Sequence, residues 1–254
     1  MLLLNNIKGG HQANLVLGDK ELSQPDCVKD LGVLIDQHLK CEEHIDHTVT
    51  RANRVANLIH KCFISKDPTT LMKAYTTYVR PIMEYASCIW SPHTVGLTKT
   101  IESVQRQFMK RLPCCCNVTY SERLAKLQLD SLELRWLRFD LICAYKIIFG
   151  ILETDVSAFF TISSTNNFTR GHNFKLLMPQ SRIDVRKYFF ACRIMRCWNS
   201  LNAEPEHFSS LTAFKKFLQQ TDLSKFMLSS HWKSESWALS LFIYVYVYQS
   251  VVFK

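Results

Sequence analysis

The side chains able to do chemistry in this chain are its cysteines, histidines, carboxylates and, above all, its cationic residues. Ten cysteines invite a metal reading, because tetrahedral zinc takes thiolate and imidazole ligands supplied as closely spaced, matched pairs. Here Cys27, Cys41, Cys62, Cys88, Cys143, Cys192 and Cys197 are scattered, while Cys114, Cys115 and Cys116 are contiguous, so that neighbouring side chains are expected to point apart. Cys192 and Cys197 come nearest to metal spacing, yet Ile194, Met195 and Trp198 around them read as buried helix positions. His38, His44 and His47 cluster by spacing, and Cys41 or Glu43 would have to complete a site there. A surface or capping role is the expectation for them, and no metal ligand set is assigned. Nor is there a GxSxG elbow, an HExxH pair or a glycine-rich phosphate cradle, since the chain has only seven glycines.

Two-metal chemistry needs carboxylates that converge on the ions. Asp30 and Asp36 are six positions apart and face the same way if Val28 to Ile35 is one strand, and Asp26 sits in a turn beside Pro25. These read as ordinary strand-end acids, so no catalytic residue is assigned. Binding chemistry remains. A formal charge of +9 and a pI near 9.0 favour polyanions through long-range attraction and counterion release, with nucleic acid the leading partner. Arg51, Arg54, Arg106, Lys110 and Arg111 fall on outward faces of predicted helices and form the first candidate patch. Arg170, Arg186, Lys187, Arg193 and Arg196 form a second, in a stretch where Asp184 is the single acid. Tyr78, Tyr85, Trp90, Trp136 and Trp198 offer stacking surfaces, but their helical spacing assigns most of them to the core.

The elements that must position these residues follow from hydrophobic period. Asn14 to Leu17, a Gly18-Asp19 turn and Glu21-Leu22 read as a hairpin, and Val28 to Ile35 as a third strand of a small sheet. Ile45, Val49, Ala52, Val55, Ala56, Ile59 and Phe63 recur at helical spacing, with Arg51, Arg54 and Lys61 on the other faces. Asp67 and Pro68 read as N-cap and first helical residue of a helix through Leu71, Ala74, Tyr75, Tyr78 and Val79, which Pro81 should kink or end. The segment Ile82 to Trp90 is expected to continue as helix, carrying Tyr85, Ile89 and Trp90 inward. Leu97 to Leu112 predicts a helix with Gln105, Arg106, Lys110 and Arg111 exposed. A short helix at Ser121 to Leu127 and a long one from Ser131 to Gly150 complete an α bundle. Farther on, Asp184 to Leu201 reads as one helix with Val185, Phe189, Ile194 and Trp198 inward, and Ser210 to Leu218 as the last, anchored by Phe214 and Phe217.

Several segments resemble, in order, the stretch just past the polymerase palm in reverse transcriptases of non-LTR (LINE-type, jockey-like) retrotransposons. They are VKDLGVLID (Val28 to Asp36), His44-Ile45, YVRPIMEYASCIWSP (Tyr78 to Pro92), IESVQRQFMKRL (Ile101 to Leu112), SERLAKLQLDSLELRWLRFDL (Ser121 to Leu141), TRGH (Thr169 to His172), FFACRIMRCWNSL (Phe189 to Leu201) and SLTAFKKFL (Ser210 to Leu218). The resemblance implies a mainly α fold: a small N-terminal palm remnant of strands (1–36), a helical thumb-like bundle (37–160) and a basic helical C-terminal extension (161–228). A hydrophobic tail (229–254) lies outside it. It also implies that Lys29 to Val33 lie at the primer grip, with Lys29 and the arginines above holding an RNA or RNA/DNA template-primer. The paired-aspartate strand of that family is absent, so Mg2+ is expected only in a complete polymerase, the missing palm and fingers are partners, and this chain alone is expected to be inactive. Beginning at a methionine within the palm zone, it reads as a truncated element of intracellular location, in cytoplasm or nucleus. The alternative is a non-enzymatic helical interaction protein tethered by the uncharged stretch Trp237 to Phe253, whose run Phe242 to Tyr248 alternates like a strand; read-through past the element's end is the preferred account of that tail.

Overall fold

The computed structural model describes residues 25–163 and 172–228 in full, with the backbone alone at 16–17 and 20–21. It is mainly helical. Strand β1 (Val16–Leu17) pairs with β2 (Lys20–Glu21), and β3 (Cys27–Asp30) with β4 (Val33–Asp36), both antiparallel. These are two separate two-stranded sheets, not one of three strands. The expected strand over Val28 to Ile35 is in fact a hairpin, because Leu31 and Gly32 both take positive φ (44° and 89°) and make a two-residue loop between Asp30 and Val33. A tight turn of that twist matches the strands it joins, and glycine in its second position lowers the cost. The same turn sends Asp30 and Asp36 to opposite ends of the hairpin, so they share no face.

Asp36 instead organises the entry to the first helix. Its carboxylate accepts from the backbone amides of His38, Lys40 and Cys41 at 2.8–3.0 Å, and helix α1 (Glu42–Cys62) starts one residue later. Those amides lower its pKa, although burial acts first and in the opposite direction. His44 then latches the hairpin onto the bundle: its Nδ1 accepts from the Leu34 amide at 3.2 Å and its ring lies 5.2 Å from that of Trp90. Burial, chiefly, holds this imidazole below its ordinary pKa and so favours the neutral form that this acceptor role requires. His47 is exposed, so the histidine cluster read from spacing does not assemble.

Asp67 caps α2 (Pro68–Ala74), accepting from the Thr70 amide and hydroxyl at 2.8 and 2.7 Å, with Pro68 at the first helical position. Helix α2 runs through a π-helical turn (Tyr75–Val79) into α3 (Arg80–Glu84). Pro81 has no amide for the carbonyl four residues back, and widening the turn so that the Arg80 amide reaches the Tyr75 carbonyl lets the chain continue. Ala86, at φ 53°, ends α3 and opens the short α4 (Ser87–Trp90) in a new direction. That reorientation buries Trp90 but leaves Tyr85 and Ile89, both expected inside, more than half exposed. Tyr78 is exposed as well, whereas Trp90, Trp136 and Trp198 are core.

Helix α5 (Val95–Lys110) is capped by Thr94, α6 (Tyr120–Leu127) by a capping box of Thr119 and Glu122, and α7 (Leu132–Ile148) by Ser131. Beyond α8 (Val156–Phe159), the single helix expected over Asp184 to Leu201 is two: α9 (Asp184–Tyr188) and α10 (Phe190–Asn199). Phe189 is extended (ψ 143°) between them, and Val185 and Phe189 face solvent instead of the core. Helix α11 (Leu211–Gln220) closes the fold with Phe214 fully buried. Two clusters of buried apolar side chains result. One gathers α1, α2, α3, α4 and α5 around Trp90 and reaches Leu132 and Trp136; the other gathers α10 and α11 around Trp198 and takes Leu141, Ala144, Tyr145 and Ile147. Helix α7 thus serves both clusters with successive turns.

A buried polar network sits where α5, α6 and α7 meet. Gln105, expected on the surface, is 1% exposed: its carbonyl accepts from Tyr75 and its amide donates to Tyr120 and to the Asp130 carbonyl. Glu102 accepts from the Tyr120 hydroxyl and from the Leu132 amide at the first turn of α7. Burial outweighs those donors and pushes the Glu102 carboxyl from 4.5 up to about 7. A carboxyl whose folded pKa is raised binds more protons folded than unfolded, so stability declines as pH climbs from about 4.5 through 7, by on the order of 3 kcal/mol in all. Chemical denaturation of Glu102→Gln across that range should show this decline removed; an unchanged pH profile would disprove the assignment.

Candidate nucleic-acid interface

The basic residues of α1 and α5 are brought together by the packing of these two helices. Along α1, Arg51, Arg54 and Lys61 are exposed at helical spacing opposite the buried row Ile45, Ala52, Ala56 and Ile59. Along α5, Arg106 and Lys110 lie one turn apart on the exposed side, followed by Arg111 at the C-cap. Arg111 joins the two faces, since its guanidinium donates to the Asn57 side-chain carbonyl of α1 at 2.6 Å. His60 registers the convergence of charge: burial first, then Arg111 and Lys66, hold its imidazole below the ordinary range. Lys66, whose ammonium donates to the carbonyls of His60 and Phe63, was missed from sequence because it lies in a connecting loop. Lys61, an exposed position of α1 by its spacing, lies one turn after Asn57 and so belongs to the same surface.

The two ends of this surface differ in charge. Glu42 and Glu43 occupy the first turn of α1, while Lys61 occupies its last, so positive charge concentrates at the end shared with Lys110 and Arg111. The α1 acids favour the positive end of the helix macrodipole and the bases its negative end, which is a structural reason for the same gradient. At the opposite edge of the α5 face, Arg106 lies over the Tyr120 ring, 4.8 Å from its centroid.

The second candidate patch does not assemble as expected. Arg186 and Lys187 are exposed on α9, and Arg196 is exposed on α10. Arg193 is half-buried and turned inward: its guanidinium makes a two-pronged contact with the Asp140 carboxylate at 2.9 and 3.0 Å and donates to the carbonyls of Cys88 and Tyr188. Asp140 is 2% exposed, so this is a buried ion pair that ties α10 to α7 and α4. Sequence reading missed it because Asp140 is separated from Arg193 by fifty-three positions. Arg170 lies outside the described residues, as does the stretch Trp237 to Phe253. Lys29 is exposed in β3, paired across the ladder with Leu34.

The remaining motif residues act in packing. His172 is buried, with Nε2 against the Trp198 carbonyl at 2.9 Å and Nδ1 accepting from the Phe174 amide, so it braces α10 from the loop before it. Contrary to expectation, the Cys114 and Cys115 sulfurs do not point apart but lie 3.4 Å from each other, in a 3-10 turn after α5. Among the described residues no three histidine, cysteine or acidic side chains gather as a metal cage, and no helix is long and apolar enough to cross a membrane.

Comparison with known proteins leaves the fold and surface as the main guides. No family model matches the chain, and no solved structure does. An uncharacterized protein of Caenorhabditis elegans is 27% identical over 109 residues, a segment that covers 42% of this chain and 55% of that protein. The match therefore spans about half of that relative's length.

Proposed function

We propose that this chain is a thumb-like, nucleic-acid-binding portion of a non-LTR retrotransposon reverse transcriptase, without the polymerase's catalytic acids, which holds an RNA or RNA/DNA template-primer. The observation that supports this most directly is the Asn57–Arg111 contact, which makes one basic surface of α1 and α5. Duplexes containing RNA are gripped through phosphates and shape, and arginine and lysine on packed helix faces suit that task. Arg51, Arg54, Lys61, Arg106, Lys110 and Arg111 are the contacts of first rank. Lys29, Arg186, Lys187 and Arg196 stand as outlying contacts, and Arg193 is excluded because Asp140 occupies it.

Anisotropy titration of the purified chain against an RNA/DNA hybrid tests the reading. Affinity should be insensitive to sequence and fall with salt along a log–log slope of about −4 or steeper. No binding at low salt would end the proposal. Primer extension with Mg2+ or Mn2+ should yield no product. A second reading, a non-enzymatic interaction protein, draws on the exposed apolar residues Leu177, Met178, Ile183, Val185 and Phe189. Membrane partition that depends on Trp237 to Lys254, with no affinity for nucleic acid, would select it.

A further inference from the structure

Arginines gathered on α3 and α7 carry more positive charge than the carboxylates beside them offset. Glu84 of α3 stands between two of them. Arg135 of α7 takes both of its oxygens, Oε1 through Nε and Oε2 through Nη2 at 3.2 Å, whereas Arg80, one turn back on α3, comes no nearer to Oε1 than 3.6 Å through its Nε. That separation is too long for a hydrogen bond, so Glu84 is committed to Arg135. One turn farther along α7, Arg138 pairs with Asp130 through Nη1 alone. Three guanidinium groups therefore share two carboxylates.

Arg80 is the one left short of partners. Its side chain is 22% exposed, yet it donates no hydrogen bond to a described residue, and its Nε is shut off from solvent without an acceptor. The Arg138 Nε is buried and unpartnered in the same way. A guanidinium stays charged when half-buried, so withdrawing its donors from water without acceptors is costly, and a like charge alongside adds to that cost. Burial first, then Arg135, lower the Arg80 pKa from 12.5 against the pull of Glu84, Tyr75 and Asp130. Nε alone of its three nitrogens is buried without a partner, which leaves Nη1 and Nη2 as the ends that meet solvent.

We propose that Arg80, with Arg135 beside it, binds a phosphate group at the seam of α3 and α7. A phosphate offers several acceptor oxygens, takes two parallel charge-assisted bonds from a guanidinium fork, and carries the negative charge that the cluster lacks. Glu84 does not oppose it, because Arg135 neutralises that carboxylate. The half-buried setting also strengthens the attraction above that of a fully solvated cation. This site is separate from the exposed cations of α1 and α5. It takes a phosphate free in solution or one within a nucleic-acid backbone, and so does not rest on the template-primer reading.

Modification of the full chain with the arginine reagent phenylglyoxal, followed by tryptic mapping, tests the site directly. Residues 74–99 form one peptide whose sole arginine is Arg80, because the Arg80-Pro81 bond resists cleavage. Inorganic phosphate should slow modification of this peptide saturably, with half-protection at about 1 mM, and sodium chloride at matched ionic strength should not. In calorimetric titration Arg80→Gln should weaken phosphate binding by about tenfold or more, with circular dichroism confirming that the variant is folded. An RNA/DNA hybrid identifies the source: protection of Arg80 by the hybrid places a backbone phosphate there, and protection by inorganic phosphate alone assigns a free one. Modification at the same rate with and without both probes would overturn the proposal, as would a folded Arg80→Gln chain that binds phosphate as tightly as wild type. The peptide reports on Arg80 alone, so either result leaves the α1/α5 surface to be judged separately by hybrid affinity.

Discussion

Arg193→Met should destabilise the chain by about 3–5 kcal/mol at neutral pH, the cost of leaving a buried carboxylate without its partner. Asp140 has almost no contact with water and its carboxylate is held by two guanidinium hydrogen bonds. Burial already raises the Asp140 pKa despite Arg193, and removing the arginine raises it further. The sign follows: with the folded pKa above the unfolded one, stability is retained in acid and lost as pH rises through the folded value. Denaturant titration should therefore find the Arg193→Met defect larger at pH 8 than at pH 5. Adding Asp140→Leu should restore much of the loss, because a buried pair replaced by apolar side chains of similar size is close to neutral. A single variant as stable as wild type at pH 8 would show that the pair contributes nothing. Its nucleic-acid affinity, measured on the folded fraction, should not change, which separates Arg193 from the surface cations.

The quadruple substitution Arg54→Gln, Lys61→Gln, Lys110→Gln and Arg111→Gln should weaken binding of an RNA/DNA hybrid by two to three orders of magnitude, on the order of 3–4 kcal/mol. Glutamine keeps length and polarity, so the folded helices lose charge but little packing. If each residue neutralises one phosphate, the log–log salt slope should become shallower by about 3–4. The parallel variant Arg186→Gln, Lys187→Gln and Arg196→Gln should lower affinity much less, because those residues stand on two helices that diverge at Phe189. Equal losses from both sets would mean that binding follows net charge and that the α1/α5 surface has no special role.

Much of the architecture was legible from local rules. The period of α1, the Asp67-Pro68 start of α2, the Ser131 cap of α7 and the mainly helical class each rest on residues within one or two turns of each other. Failures came where local rules conflict or fall silent. Val28 to Ile35 has the composition of a strand, yet a two-residue reversal at Leu31-Gly32 costs little once β3 and β4 can pair. Gln105 looks like a surface residue by type, and only the arrival of Tyr75, Tyr120 and the Asp130 carbonyl makes its burial tolerable.

The candidate surface divides along the same line. Charge, composition and helical spacing by themselves determined that this chain folds as amphipathic helices with a cationic exterior, because period and solvation are properties of neighbouring residues. Which of those cations stay available was set by packing. Packing brought Arg111 across to Asn57 and made two helix faces one surface, and it drew Arg193 inward to a carboxylate far away in sequence. Contacts of that kind depend on how helices cross, which no single helix encodes.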